Sequence, residues 1–198
     1  MFITFEGVDG SGKTTQAKLL VERLRADGRE VVLTREPGGT ALGEEIRALL
    51  LHGGHVVPWA EVALYAASRA QHVEELIRPA LGRGADVVCD RYVDSSVAYQ
   101  GIARGLGLER VLELNLAAVD GLLPERTFLL EIDAAAALAR MGVERDRMER
   151  EDDTFRARVD EAYRVLAERF SPRIVRIDGS RPQDEIAEEV YAAVRGVP

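Results

Sequence analysis

The sequence predicts an α/β protein with a five-stranded parallel sheet covered by helices on both faces. Three observations predict it. Short apolar runs recur along the chain, helical patterns separate them, and the first run ends in a glycine-rich turn that opens a helix. Strands joined by helices pair in parallel, and such sheets are buried on both sides.

The strands are read in order as "MFITFE" (1–6), "EVVLTR" (30–35), "ADVVCD" (85–90), "RTFLLEID" (126–133) and "RIVRID" (173–178). Between the first two, "GKTTQAKLLVERLRAD" repeats leucine and valine at helical spacing and stops at Gly28. "PWAEVALYAASRAQHVEELIRPAL" (58–81) and "EREDDTFRARVDEAYRVLAERF" (149–170) read as longer amphipathic helices, and "PQDEIAEEVYAAVRG" as the last one. No fixed-period repeat and no Pro/Ser-rich linker divides the chain, so residues 1–198 are expected to form one domain. Residues 139–152, "ARMGVERDRMERED", stand apart: they hold four arginines and little apolar surface. They read either as a solvated helix or as a lid over phosphates.

A net charge of −8 argues against a general nucleic-acid coat, which needs a basic footprint. The single cysteine, Cys89, lies in an apolar run and allows no internal disulfide. The start "MFITFEG" lacks a basic leader, and no apolar run approaches the length of a membrane span. A cytoplasmic protein free of membrane is expected.

The chemistry is concentrated in "GVDGSGKT". Gly7, Val8, Asp9, Gly10, Ser11, Gly12, Lys13 and Thr14 match G-x-x-x-x-G-K-[ST] between an expected strand and an expected helix. Glycines let backbone N–H groups converge on an anion, and the helix N-terminus favours negative charge. Lys13 should reach the β/γ-phosphates and the Thr14 hydroxyl should bind Mg²⁺. Asp90 ends an apolar strand, where open α/β sheets bind ligands, and can order the magnesium hydration shell beside Arg91. His52, His55 and His72 form no metal signature. His52 and His55 flank two glycines in an expected loop.

Jointly, "FEGVDGSGKTT", "TREPGGT", "LYAASRAQHVEELIRPAL", "CDRYVDSSVAYQG" and "DRMERED" resemble the bacterial thymidylate kinases, nearly end to end. The resemblance implies a P-loop NTPase fold, three layers α/β/α around a five-stranded parallel sheet, with a mobile lid at about residues 139–152. It implies phosphoryl transfer from ATP to dTMP, giving dTDP and ADP, with Mg²⁺ as cofactor and a homodimer as assembly. Lys13, Arg91, Arg147 and Arg145 would carry the catalytic charge. The P-loop through Thr15 would hold ATP, with Arg140 against adenine and Arg181 in the adenine-side loop "DGSRPQDE".

The acceptor set carries over residue by residue. Tyr65 would stack on the base, and Arg69, one helical turn on, would hydrogen-bond it. Ser96 and Gln100 would address the base edge and Tyr99 the sugar. Arg47 and Arg91 would take the acceptor phosphate, and Glu36 would order Arg91 or magnesium-bound water. Asp9, an acid inside an anion-binding loop, would face the acceptor 3′-hydroxyl. Two other readings remain open at this stage: a P-loop kinase for a different small acceptor, and a nucleotide-dependent switch. No N-K-x-D guanine-reading motif occurs.

Overall fold

The computed structural model describes residues 1–142 and 146–195. Its strands are β1 (Phe2–Glu6), β2 (Val31–Arg35), β3 (Asp86–Asp90), β4 (Arg126–Glu131) and β5 (Ile174–Asp178). Its helices are α1 (Lys13–Ala26), α2 (Ala41–His52), α3 (Pro58–His72), α4 (Arg78–Gly82), α5 (Val93–Ser96), α6 (Leu108–Ala118), α7 (Ala134–Arg140), α8 (Asp153–Arg169) and α9 (Gln183–Arg195). The five strands are parallel in the order β2-β3-β1-β4-β5, as the alternation of apolar runs and helices requires.

Side-chain alternation splits the core into two layers. Ile3, Phe5, Val88, Phe128 and Leu130 face α1 and α9, meeting Leu20, Leu24, Val190 and Val194. Phe2, Val87, Cys89 and Leu129 face the other way, meeting Val62, Val97, Val111 and Leu166. β1 lies in the middle with all five residues buried. β3 and β4 lie on opposite sides of it, so its carboxyl end is a switch point where a crevice must open.

The helix expected over 58–81 is not regular throughout. Residues Val73–Ile77 widen to a π-helical turn, in which the N–H of Arg78 reaches back to the carbonyl of Val73. Pro79 follows at once and has no N–H to give to the preceding turn. A second π segment, Val97–Ala103, carries Tyr99 and Gln100. α2, α6 and α7 lie where no helix is read from sequence. α2 starts at Thr40, whose hydroxyl accepts from the Gly43 N–H, and His52 is its last residue rather than part of a loop. The helix expected from 149 begins at Asp153, because Asp152 caps it by accepting from the Phe155 N–H at 2.7 Å.

Candidate active site

Each strand delivers a polar residue to the carboxyl edge. β1 runs into the glycine loop, where Gly7, Gly10 and Gly12 have φ of 134°, 80° and 96°. A Cβ at Gly10 would stand 2.2 Å from the Ala137 carbonyl oxygen, so α7 can pack on the loop only because that side chain is missing. Lys13 is buried and its Nζ donates to the Val8 carbonyl at 2.8 Å. Burial, aided by Arg91, lowers its pKa from 10.5 to about 8 against the pull of Asp9, Asp90 and Glu6.

Thr14 Oγ1 donates to Asp90 Oδ2 at 2.5 Å. The other oxygen, Asp90 Oδ1, is buried without a hydrogen-bond partner among the described residues. A buried carboxylate oxygen left open beside a hydroxyl suits a hard divalent cation or its water.

At the end of β3, Arg91 has φ of 70°, unusual for a residue with a side chain. Its guanidinium explains why it is held there. It donates to Asp9 Oδ1 at 2.5 Å, to Ser95 Oγ at 3.1 Å and to Tyr163 at 3.2 Å, and lies over the Tyr99 ring. Burial works to raise the Asp9 pKa, but Arg91 and Lys13 outweigh it and bring it down to about 2.

A cavity of about 150 Å³ opens beside Arg91. Asp9, Glu36, Arg47, Tyr65, Arg69, Arg91, Ser96, Tyr99 and Gln100 all line it, so every acceptor residue expected from sequence meets in one place. A larger cavity of about 620 Å³ lies between α7 and α8. It is lined by Val8 and Asp9 of the glycine loop and by Asp178 and Ser180 of the loop after β5. On the open face of the glycine loop, Thr14 and Thr15 are exposed at the start of α1.

Three of the expected residues have partners within the protein. Glu36 has no hydrogen bond or ion pair with Arg91 among the described residues; Arg91 pairs with Asp9. Glu36 bonds Arg69 Nε at 2.6 Å and His72 Nδ1 at 2.8 Å, and His72 Nε2 in turn bonds Thr34. Arg69 is 1% exposed and uses four of its five N–H donors internally, on Glu36, Ser96, Asn115 and the Tyr92 carbonyl. One N–H is left for a ligand. Arg147 lines neither cavity. Its Nε donates to the Leu50 carbonyl at 2.7 Å and its terminal nitrogen lies 2.6 Å from Glu61, a buried carboxylate that demands positive partners. Its neighbour Met148 packs on Ile46, Leu50 and Leu51.

Arg140 donates to the Gly179 carbonyl at 3.1 Å, which ties α7 to the loop after β5. Arg181 sits on the surface against Glu185 and Glu189. Arg145 lies outside the described residues.

Sequence reading missed Glu6 and Glu61. Glu6 ends β1 fully buried and accepts from the Tyr92 N–H, Ser95 Oγ and Tyr163. Burial and the nearby Asp94 outweigh Arg91 and raise its pKa to about 7. Its signal was a carboxylate closing the apolar run "FITFE". Glu61 lies one helical turn before Tyr65 on the same face of α3, and that spacing would have found it.

A thymidylate kinase family model matches residues 5–190. The chain is 50% identical to a Synechococcus thymidylate kinase, covering 98% of this chain and 94% of that one. It is 52% identical to the thymidylate kinase of Leifsonia xyli, covering 99% and 95%. The crystal structure of thymidylate kinase from Ehrlichia chaffeensis superposes with a TM-score of 0.84 at 34% identity, over 98% of both chains.

Proposed function

The chain belongs to the thymidylate kinase family, and from that premise we propose how its residues divide the reaction. It transfers a phosphoryl group from ATP to dTMP, giving dTDP and ADP for dTTP synthesis. The observation that carries the assignment of residues is the convergence of all nine acceptor residues on one cavity that borders the glycine loop at Asp9.

Tyr65 stacks on thymine while Arg69, Ser96 and Gln100 meet its edge. Tyr99 borders the sugar, and Asp9 accepts from the 3′-hydroxyl with the oxygen that Arg91 leaves free. Arg91 and Arg47 hold the acceptor phosphate. Glu36 is a support for Arg69 rather than a contact to Arg91. On the donor side the loop N–H groups, Lys13, Thr14 and Thr15 grip the ATP phosphates, with Arg140 and Arg181 near adenine. Thr14 and Asp90 would hold Mg²⁺, which suits the open Asp90 Oδ1. Bound there, the ion would supply charge neutralisation for the transferring phosphates.

An acceptor phosphate oxygen attacks the γ-phosphorus as the bond to the ADP oxygen breaks. The transition state makes little covalent demand, so positioned positive charge does most of the catalysis. Lys13 and Arg91 supply it from the body of the protein. Arg147 and Arg145 supply it from the lid, Arg147 after leaving Glu61. We assign residues 1–198 to one kinase domain with a mobile lid at about 139–152. The half-buried Leu64 and the exposed Val57, seven positions apart and so on one side of α3, support a homodimer through that face. The lone buried cysteine supports a cytoplasmic site of action. Among the described residues no helix is long and apolar enough to cross a membrane.

An acceptor screen with ATP and Mg²⁺ across dTMP, dUMP, dCMP, dGMP and shikimate tests the assignment. dTMP should be the best acceptor. A purine monophosphate or shikimate used as fast would overturn it.

A further inference from the structure

We propose that Glu61 sets the base selectivity of the acceptor cavity by pinning the amide of Gln100 in one orientation. The inference rests on the reading of that cavity as the dTMP site.

Glu61 is fully buried on α3 and lines neither cavity. Its Oε1 accepts from Gln100 Nε2 at 2.9 Å and from Arg104 Nε at 2.7 Å. Its Oε2 accepts from a terminal nitrogen of Arg104 at 3.2 Å and faces Arg147 at 2.6 Å. Two guanidiniums from separate segments thus clamp the carboxylate. Gln100 is 2% exposed and borders the acceptor cavity.

A primary amide has a donor end and an acceptor end of nearly equal shape, and its neighbours decide which way it points. A carboxylate only accepts, so the NH₂ end of Gln100 must face Glu61. Turned over, the amide would set oxygen lone pairs against oxygen lone pairs in a buried place, which is costly. Gln100 therefore keeps its Oε1 and its second Nε2–H for the cavity. That pair of an acceptor beside a donor is complementary to a base that offers a ring N–H beside a carbonyl, as thymine does at N3 and O4. Cytosine offers the reverse, a bare ring nitrogen beside an amino group. With the amide pinned, cytosine meets acceptor against acceptor and donor against donor. Glu61 touches no substrate. It is a positioning residue, and it acts through Gln100.

The test is kcat/KM for dTMP and for dCMP at saturating ATP and Mg²⁺. Effects on the lid or on ATP are common to both acceptors and cancel in the ratio. Wild type should prefer dTMP by at least about a hundredfold, since a site built to hydrogen-bond one pattern rejects the other. Glu61→Gln can donate as well as accept, so it frees the amide, and the ratio should fall at least about tenfold. Glu61→Asp still only accepts, and should hold the ratio within about threefold whatever it does to kcat. In a Gln100→Ala background, Glu61→Gln should leave the ratio unmoved, because the group through which it acts is gone.

A folded Glu61→Gln enzyme with the wild-type ratio would overturn the proposal. So would an equal collapse in Glu61→Asp, which would mean general loosening. Should Glu61→Gln fail to fold, Glu61→Asp decides: a ratio near wild type supports the pin, and one as low as that of Gln100→Ala refutes it. A wild-type enzyme indifferent between dTMP and dCMP would overturn the acceptor assignment, and this inference with it.

Discussion

The proposed acceptor cavity and the proposed donor cleft share Asp9 but are built on opposite principles. Around the acceptor cavity, charges are buried and paired: Arg69 with Glu36, and Glu61 with Arg104. Around the donor cleft the contacts are loop backbone, exposed Thr14 and Thr15, and Arg181 in surface ion pairs. A buried pair loses hydration and is sustained only by fixed, well-shaped partners, so it holds a geometry. An exposed pair contributes little and can be re-aimed at small cost. The contrast suggests a division of work. The rigid side discriminates among bases, and the adaptable side accommodates a nucleotide whose charge shifts during transfer.

The sharpest break in that contrast should come from Arg69→Ala. It leaves Glu36 buried beside His72 without its guanidinium, and removing one partner of a buried pair costs about 3–5 kcal/mol of stability. Urea unfolding reads it directly. A loss below about 1 kcal/mol would show that the acceptor side is no more rigid than the surface.

Lys13→Ala should come next, lowering kcat by roughly a hundredfold to a thousandfold, as for other groups that stabilise developing charge. Its pH profile sharpens the point. With the pKa lowered to about 8, free enzyme loses the Lys13 charge as pH rises through that value, and kcat/KM for ATP should fall there. The stability sign is the opposite. Between about 8 and 10.5 the unfolded chain binds the proton more tightly, so stability should rise with pH across that window in wild type and not in Lys13→Ala.

A smaller effect is expected where the two regions meet. If Asp9 accepts from the acceptor 3′-hydroxyl, wild type should favour dTMP over its 3′-deoxy analogue by at least about tenfold in kcat/KM. In Asp9→Ala the ratio should approach one. Full retention of the preference would leave Asp9 only as the partner of Arg91.

Smallest of all is Arg181→Ala, which removes exposed pairs with Glu185 and Glu189. The KM for ATP should stay within about threefold and the Tm should not move. A large change in either would place the adenine-side loop among the rigid parts.

Much of this was legible in the chain itself. All five strands came from apolar runs, and the ends of β3 and β5 from Asp90 and Asp178. α2 was hidden because "PGGT" reads as a turn, while the capping by Thr40 that starts the helix is a three-dimensional fact. That the proposed acceptor residues would line one cavity was legible because a known combination of motifs grouped them, and local spacing agreed at Tyr65–Arg69 and Ser96–Gln100.

What the sequence determined by itself is the part governed by near neighbours. Hydrophobic period two or 3.6 selects strand or helix, and glycines at three loop positions permit an anion-binding turn. What only tertiary structure decided is how charges pair. Nothing in the order of residues says that Glu36 takes Arg69 while Asp9 takes Arg91, or that Arg147 folds back on Glu61. Those partners lie 33, 82 and 86 positions apart, and a buried charge takes whichever opposite charge the packing brings within reach. Periodicity is a property of a segment. Electrostatic pairing is a property of the assembled interior.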